Sequence, residues 1–190
     1  IEVLFDHPSQ LKMIETAVDN EAITFEIVKQ EKNRCIVKNI SSTENDEFDN
    51  LLRRTLLLLK VMGDDLLVAL KNKDIETIKT IKNLEKTNNK FTHFCRRALA
   101  KNGYKEQSKT VYLYTIVEQL ETVADEFKFL CDFLSEEASK KLKVEKDTLK
   151  LFEDVNKTIS MFNDLFFNYD LKKAKEFGEH RRRVMDEAFK

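Results

Sequence analysis

A heptad-like pattern of apolar residues in the middle of the chain limits its fold more than any other feature. Between residues 107 and 139, the apolar positions alternate at steps of four and three: Leu113, Val117, Leu120, Ala124, Phe127, Cys131 and Leu134. Because an α-helix turns once about every 3.6 residues, these side chains form one stripe along it, as in helical bundles. The pattern predicts a helix over residues 107–139 whose apolar side packs against other helices.

Composition predicts further long helices. The 190 residues include Gly 3 and Pro 1, and a chain poor in both but rich in Lys, Glu and Leu favours long helices over a β-sandwich. Asp74 and Asp170 are suitable N-caps, Asn102–Gly103 is a suitable stop, and residues 41–47 supply caps and first-turn acids. The predicted helices cover residues 48–71, 74–101, 147–169 and 170–190. Short polar connections between them, including a polar break at 139–146, predict antiparallel neighbours.

The first 40 residues carry short β-type runs instead. Residues 1–5, 22–30 and 33–40 are strand-like, and the helix predicted between the first two has Pro8 near its start. This order predicts a small β-α-β-β module. The chain begins at Ile1 in a strand-like run without Met and stops in a charged helical stretch, so we expect it to be part of a longer protein.

The predicted fold is therefore mainly α. The predicted helices at 147–169 and 170–190 repeat the pattern of those at 48–71 and 74–101. This predicts an antiparallel three-helix-bundle repeat whose second copy lacks its last helix. The predicted domains are the α/β module at 1–43 and the bundle at 44–190, with units at 44–140 and 145–190.

Charge and hydropathy exclude several classes of protein. A formal net charge of −1 argues against broad electrostatic binding of nucleic acid. No apolar run approaches the roughly 18 residues of a membrane span, so no membrane insertion is expected. Three widely spaced cysteines without a CxxC pair indicate inert, partly buried thiols in a reducing cytoplasm. The triplet Arg181–Arg183 is interpreted as a solvated helix face rather than an anion-binding patch.

Acidic residues follow one side of the predicted helix at 107–139. Glu118, Glu121 and Asp125 lie one turn apart, and like charges at this spacing destabilise an isolated helix by roughly 0.2–0.5 kcal/mol per pair. The helical register places these acids beside the apolar stripe, half exposed. Either they are solvated surface, or something positive lies against them.

A second predicted helix offers oxygen ligands in a similar position. If Leu84 and Phe91 are its seam residues, Glu85 and Asn89 lie beside the seam as the acids do. Two such helices side by side would form an oxygen-only cluster suited to hard or borderline cations such as iron, manganese, magnesium or zinc. His93 is interpreted as a packed side chain rather than a ligand. No known catalytic motif occurs in the sequence.

Three stretches together resemble a known family: FDNLLRRTLLLLKVMGDDLLVAL, NLEKTNNKFTHFCRRALAKNGY and YLYTIVEQLETVADEFKFLC. They are similar to the archaeal branch of the PhoU family of phosphate uptake regulators, over about residues 44 to 190. The hallmark of that family is an E(D)-x-x-x-D motif on the helices of a repeated three-helix bundle. Glu121 to Asp125 match the motif fully, and Glu85 to Asn89 match it with Asn in place of the final Asp.

The resemblance implies a regulator and not an enzyme. It implies multinuclear iron or zinc at the acidic motifs, and action on a phosphate transporter component or a signalling protein, with another copy of the chain as a further possible partner. It also implies that the β-α-β-β module follows an AbrB-like DNA-binding domain in a longer protein, so no nucleic acid is expected to bind through these 190 residues. Asn89 is a weaker ligand than Asp, and the helix with the second full motif is absent.

Two other functions remain open from the sequence. One is a metal-dependent enzyme that uses the carboxylates of Glu118, Glu121 and Asp125. The other is an effector or dimerisation domain of an AbrB-type transcription regulator. A pocket with converging acids would favour the enzyme, and a flat helix flank would favour the regulator.

Overall fold

The structure is a computed structural model that describes residues 1–21, 25–39, 44–138 and 144–189. A small antiparallel sheet precedes the long helices, and the described residues are mainly helical, which confirms the predicted fold class. The capping residues predicted at 41–43 and most of the polar break predicted at 139–146 lie outside the described residues. The elements are β1 Glu2–Leu4, α1 Pro8–Glu21, β2 Phe25–Gln30, β3 Arg34–Asn39, α2 Glu44–Asn72, α3 Ile75–Ile81, α4 Leu84–Asn102, α5 Thr110–Ala138, α6 Lys146–Phe167 and α7 Leu171–Ala188.

The N-terminal module has its own small core. Its strands are ordered β1-β3-β2, and both pairings are antiparallel. Phe5, Cys35 and Val37 are buried there, and apolar side chains of α1 and β2 pack against them. A bulge lies between Ile27 and Lys29, because these two residues pair with adjacent residues of β3. The predicted β-α-β-β order is confirmed.

The segment predicted as one helix over residues 74–101 forms two helices. Asp74 caps α3 as expected, since its Oδ1 accepts a hydrogen bond from the backbone N–H of Thr77 at 3.0 Å. After α3 the chain forms a tight turn in which the N–H of Asn83 donates to the carbonyl of Thr80 at 3.0 Å. The prediction of one continuous helix over residues 74–101 was therefore wrong. Gly103 ends α4 with φ +68, a conformation that favours glycine. Asp170 caps α7.

The apolar seam predicted on α5 is confirmed in full. All seven of its side chains are buried, and none is more than 7% exposed. The seam predicted on α6 is less well covered: Phe152, Ile159, Phe162 and Phe166 are half-buried, and the buried residue of that helix is Asn156. The two helices therefore differ in how completely neighbouring elements cover their apolar sides.

The Cα positions group the chain into two compact units. The first unit contains residues 1–55 and 86–121, and the second contains residues 56–85 and 122–190. The predicted domain boundary near residue 43 stays a prediction. Among the residues that the structure describes, no helix combines the length and the apolar character that crossing a bilayer requires.

Candidate functional site

Glu121 is paired with a cation in the first unit. Its Oε2 lies 2.8 Å from the guanidinium of Arg96 and accepts a hydrogen bond from the hydroxyl of Thr92 at 3.3 Å. The ring of His93 lies 3.5 Å from the other carboxylate oxygen. The Glu121 side chain is 19% exposed, so most of this charge is removed from water. The sequence left two alternatives for these acids, a solvated surface or a positive group against them. For Glu121 the positive group is a side chain of the protein itself, Arg96.

A lysine plays the same part in the second unit. The ammonium of Lys128 lies 3.2 Å from Glu85 and 3.8 Å from Asp125. The side chain of Glu85 is 6% exposed, whereas that of Asp125 is 37% exposed. A carboxylate as deeply buried as that of Glu85 needs a cation beside it, because removing an isolated charge from water costs roughly several kcal/mol. Lys128 supplies that partner.

The register predicted for α4 was wrong by one residue. Leu84 and Phe91, taken as seam positions, are half-buried. The buried stripe runs instead at steps of three and four through Glu85, Asn88, Thr92, Cys95 and Leu99. Glu85 is therefore buried and does not lie on the flank of the helix. The prediction failed because it assigned apolar residues to the buried side, whereas three of the seven buried residues of α4 are polar.

Asn88 is a buried polar residue that the sequence reasoning missed. Its side chain is 0% exposed, and neither its Oδ1 nor its Nδ2 has a hydrogen-bond partner among the described residues. Leaving one buried polar group unsatisfied costs about 1–3 kcal/mol. The spacing of three and four residues from Glu85 to Leu99 would have predicted that Asn88 is buried if polar residues had been considered for the buried stripe.

The predicted ligand set does not form a metal centre as its side chains lie here. Within the described ranges, no group of three or more His, Cys, Asp or Glu side chains is placed to hold a metal ion. Arg96 lies against Glu121, and Lys128 lies against Glu85 and Asp125. Glu118 is exposed and Asn89 is half-buried. Metal binding at these residues stays a prediction.

The three cysteines are buried, unpaired thiols. Burial raises the pKa of the Cys95 thiol to about 12 and that of the Cys131 thiol to about 11. Both thiols are therefore protonated at neutral pH, and since the thiolate is the reactive form, they are poor nucleophiles and poor metal ligands. This agrees with the prediction of inert thiols.

A cavity of about 520 Å³ lies in the second unit, away from the predicted ligands. Asp64 and Leu67 of α2 line one part of it, and the rest is lined by α6 through Lys150, Glu153, Asp154, Asn156, Lys157 and Ser160. The amide Nδ2 of Asn156 donates to the backbone carbonyl of Gly63 at 2.7 Å. This contact places α6 close against the backbone of α2.

The comparisons with known proteins add no relative. No family model matches the chain, and neither a curated protein nor a solved structure matches it. The similarity to the PhoU family therefore rests on the three stretches and the acidic motifs described above.

Proposed function

We propose that this chain is a non-enzymatic regulator of phosphate uptake that binds a phosphate transporter component or a signalling protein through its helices. The observation that supports this most is the pair Glu121 and Asp125. They form a complete Glu-x-x-x-Asp motif on α5, directly beside a fully buried apolar seam, in a mainly helical chain. The identity of the regulated process comes from the family resemblance.

The ion pairs give the acidic motifs a structural role in this proposal. In the first unit, the pair Arg96–Glu121 joins α4 to α5, and in the second unit Lys128 joins Glu85 to α5. In each pair the carboxylate is largely removed from water, with the Glu121 side chain 19% and the Glu85 side chain 6% exposed, so its position is more restricted than that of a solvated acid. A regulator that acts by contact needs such fixed helical surfaces.

The proposal includes binding of iron or zinc at Glu121, Asp125, Glu85 and Asn89. The resemblance to the PhoU family is the sole support for this metal. Elemental analysis of protein purified without chelator or a His tag tests it. If these acids bind metal, Glu121→Gln with Asp125→Asn abolishes the metal content, whereas Glu47→Gln with Asp65→Asn, which removes two exposed acids of α2, leaves it unchanged. Equal metal content in both double variants would rule out the assignment.

Direct binding tests the proposed partner. The purified chain is titrated by calorimetry with the cytoplasmic ATPase of a phosphate transporter from the same cell, and in a second arm with a sensor histidine kinase. We expect saturable binding to one of them with a Kd of about 1–100 µM, as for transient regulatory contacts. No binding in either arm at about 100 µM would contradict the proposed function.

A further inference from the structure

The outward side of α7 carries a regular stripe that nothing in its own unit covers. At steps of four and three it contains Leu171, Lys175, Gly178, Arg182, Met185 and, at the C-cap, Phe189. Leu171 is 76% exposed, Met185 46% and Phe189 86%. A Cβ added at Gly178 would meet nothing within 4 Å, so the middle of the stripe is open. The opposite side of the helix contains the buried His180 and Val184.

The outward side of α5 has a matching stripe. Thr122, Glu126, Phe129, Phe133 and Glu136 follow one another at steps of four and three, opposite the buried seam. Phe129 is 58% exposed and Phe133 56%. Two aromatic rings one turn apart form an apolar surface of the kind that marks protein contacts.

The two stripes carry opposite charge. The α5 stripe contains the acids Glu126 and Glu136 and no base, whereas the α7 stripe contains the bases Lys175 and Arg182 and no acid. Opposite charges steer such surfaces together and penalise contacts between two copies of the same helix.

One alignment brings four positions of each stripe opposite one another. With a constant offset of 56 residues, Thr122 lies opposite Gly178, Glu126 opposite Arg182, Phe129 opposite Met185 and Phe133 opposite Phe189. Small residues then meet, an acid meets a base, and the apolar side chains meet each other. The steps of four and three on both helices are those of knobs-into-holes packing.

From this match we propose that the chain forms a two-fold dimer in which α5 of each copy packs against α7 of the other. A two-fold axis uses the contact twice, so Phe129, Phe133, Met185 and Phe189 are covered in both copies. The α5 stripe borders the Glu85 ion pair, since the ammonium of Lys128 lies 5.7 Å from the centre of the Phe129 ring. The dimer does not depend on the proposed regulatory function.

Sedimentation equilibrium with charge-reversed variants tests the dimer. A weak protein–protein contact has a micromolar Kd. At about 200 µM, above that Kd, the wild-type chain is therefore expected at twice its mass of 22.4 kDa. Glu126→Arg or Arg182→Glu alone is expected to give a monomer, because each places like charges opposite one another twice. An equimolar mixture of the two variants restores both pairs, and therefore the dimer.

Two further variants make the test specific. Asp65→Arg reverses an exposed acid of α2, outside both stripes, and should leave the dimer intact. Phe129→Ala with Phe133→Ala should give a monomer, while circular dichroism shows unchanged helicity. A monomeric wild-type chain, dimeric single charge variants, or a mixture that stays monomeric would each overturn the proposal.

Discussion

Individual polar residues lie on the buried side of α4. Glu85, Asn88 and Thr92 occupy the buried stripe where apolar residues would be expected. Lys128 compensates Glu85. The hydroxyl of Thr92 can donate its one proton to the carbonyl of Asn89, at 3.1 Å, or to the carboxylate of Glu121, at 3.3 Å. Asn88 has no such compensation among the described residues. The three residues should therefore respond differently to mutation.

Glu121→Gln should lower the free energy of unfolding by about 1–2 kcal/mol. The substitution keeps the volume of the side chain but leaves the guanidinium of Arg96, 26% exposed, without its counter-charge. Urea unfolding followed by circular dichroism measures the difference. The control is Glu47→Gln, an exposed acid of α2 in the same unit, for which the change should stay below about 0.5 kcal/mol. Equal effects would mean that the Arg96 pair is no more stabilising than solvated surface.

Asn88→Leu should raise the free energy of unfolding by about 1–2 kcal/mol, because it removes two unsatisfied buried polar atoms and keeps a branched side chain. Thr92→Val is the comparison, and it should be destabilising because the Thr92 hydroxyl is bonded. Chemical denaturation of both variants under the same conditions provides the measurement. A loss of stability in Asn88→Leu would indicate that the amide has a bound partner, such as a water or an ion.

At the scale of elements, the sequence predicted α5 better than α4 for a physical reason. The seam of α5 is apolar throughout, so its period of 3.5 residues could be read directly from residue types. On α4 the first three buried residues are the polar Glu85, Asn88 and Thr92. Leu84 and Phe91 therefore gave a false register one residue away. The break between α3 and α4 also escaped prediction, because no glycine or proline marks Lys82 and Asn83.

Two glycines within helices provide a matched pair of tests. Gly63→Ala should destabilise the second unit by about 1–3 kcal/mol, because the new Cβ would lie 2.5 Å from the Oδ1 of Asn156 and would disturb its bond to the Gly63 carbonyl. Gly178→Ala meets no atom within 4 Å and should stabilise α7 by about 0.5–1 kcal/mol through helix propensity. Thermal unfolding at low protein concentration measures both. The same sign of change in both variants would contradict the close approach of α2 and α6.

At the scale of the whole molecule, the order of elements was predictable but the compact units were not. The early β-type runs and the later helical periods identify a small sheet followed by long helices. The two units cut across the sequence, because α2, α4 and α5 each contribute residues to both. No break in composition marks residues 55 and 121, since a continuous helix needs none where it passes from one core to another. The cations against the acidic motifs were also hidden, because Arg96 and Lys128 match no motif.

The proposed regulation is a property of the protein in its cell, where the rate of phosphate uptake is the quantity that it would change. The measurement is the initial rate of radiolabelled phosphate uptake in phosphate-replete cells that carry the gene, compared with cells from which it has been deleted. A chain that restrains phosphate uptake gives faster uptake after deletion of its gene, and expression of the wild-type gene returns the rate to its original value. An unchanged rate after deletion, with other transport unaffected, would contradict it.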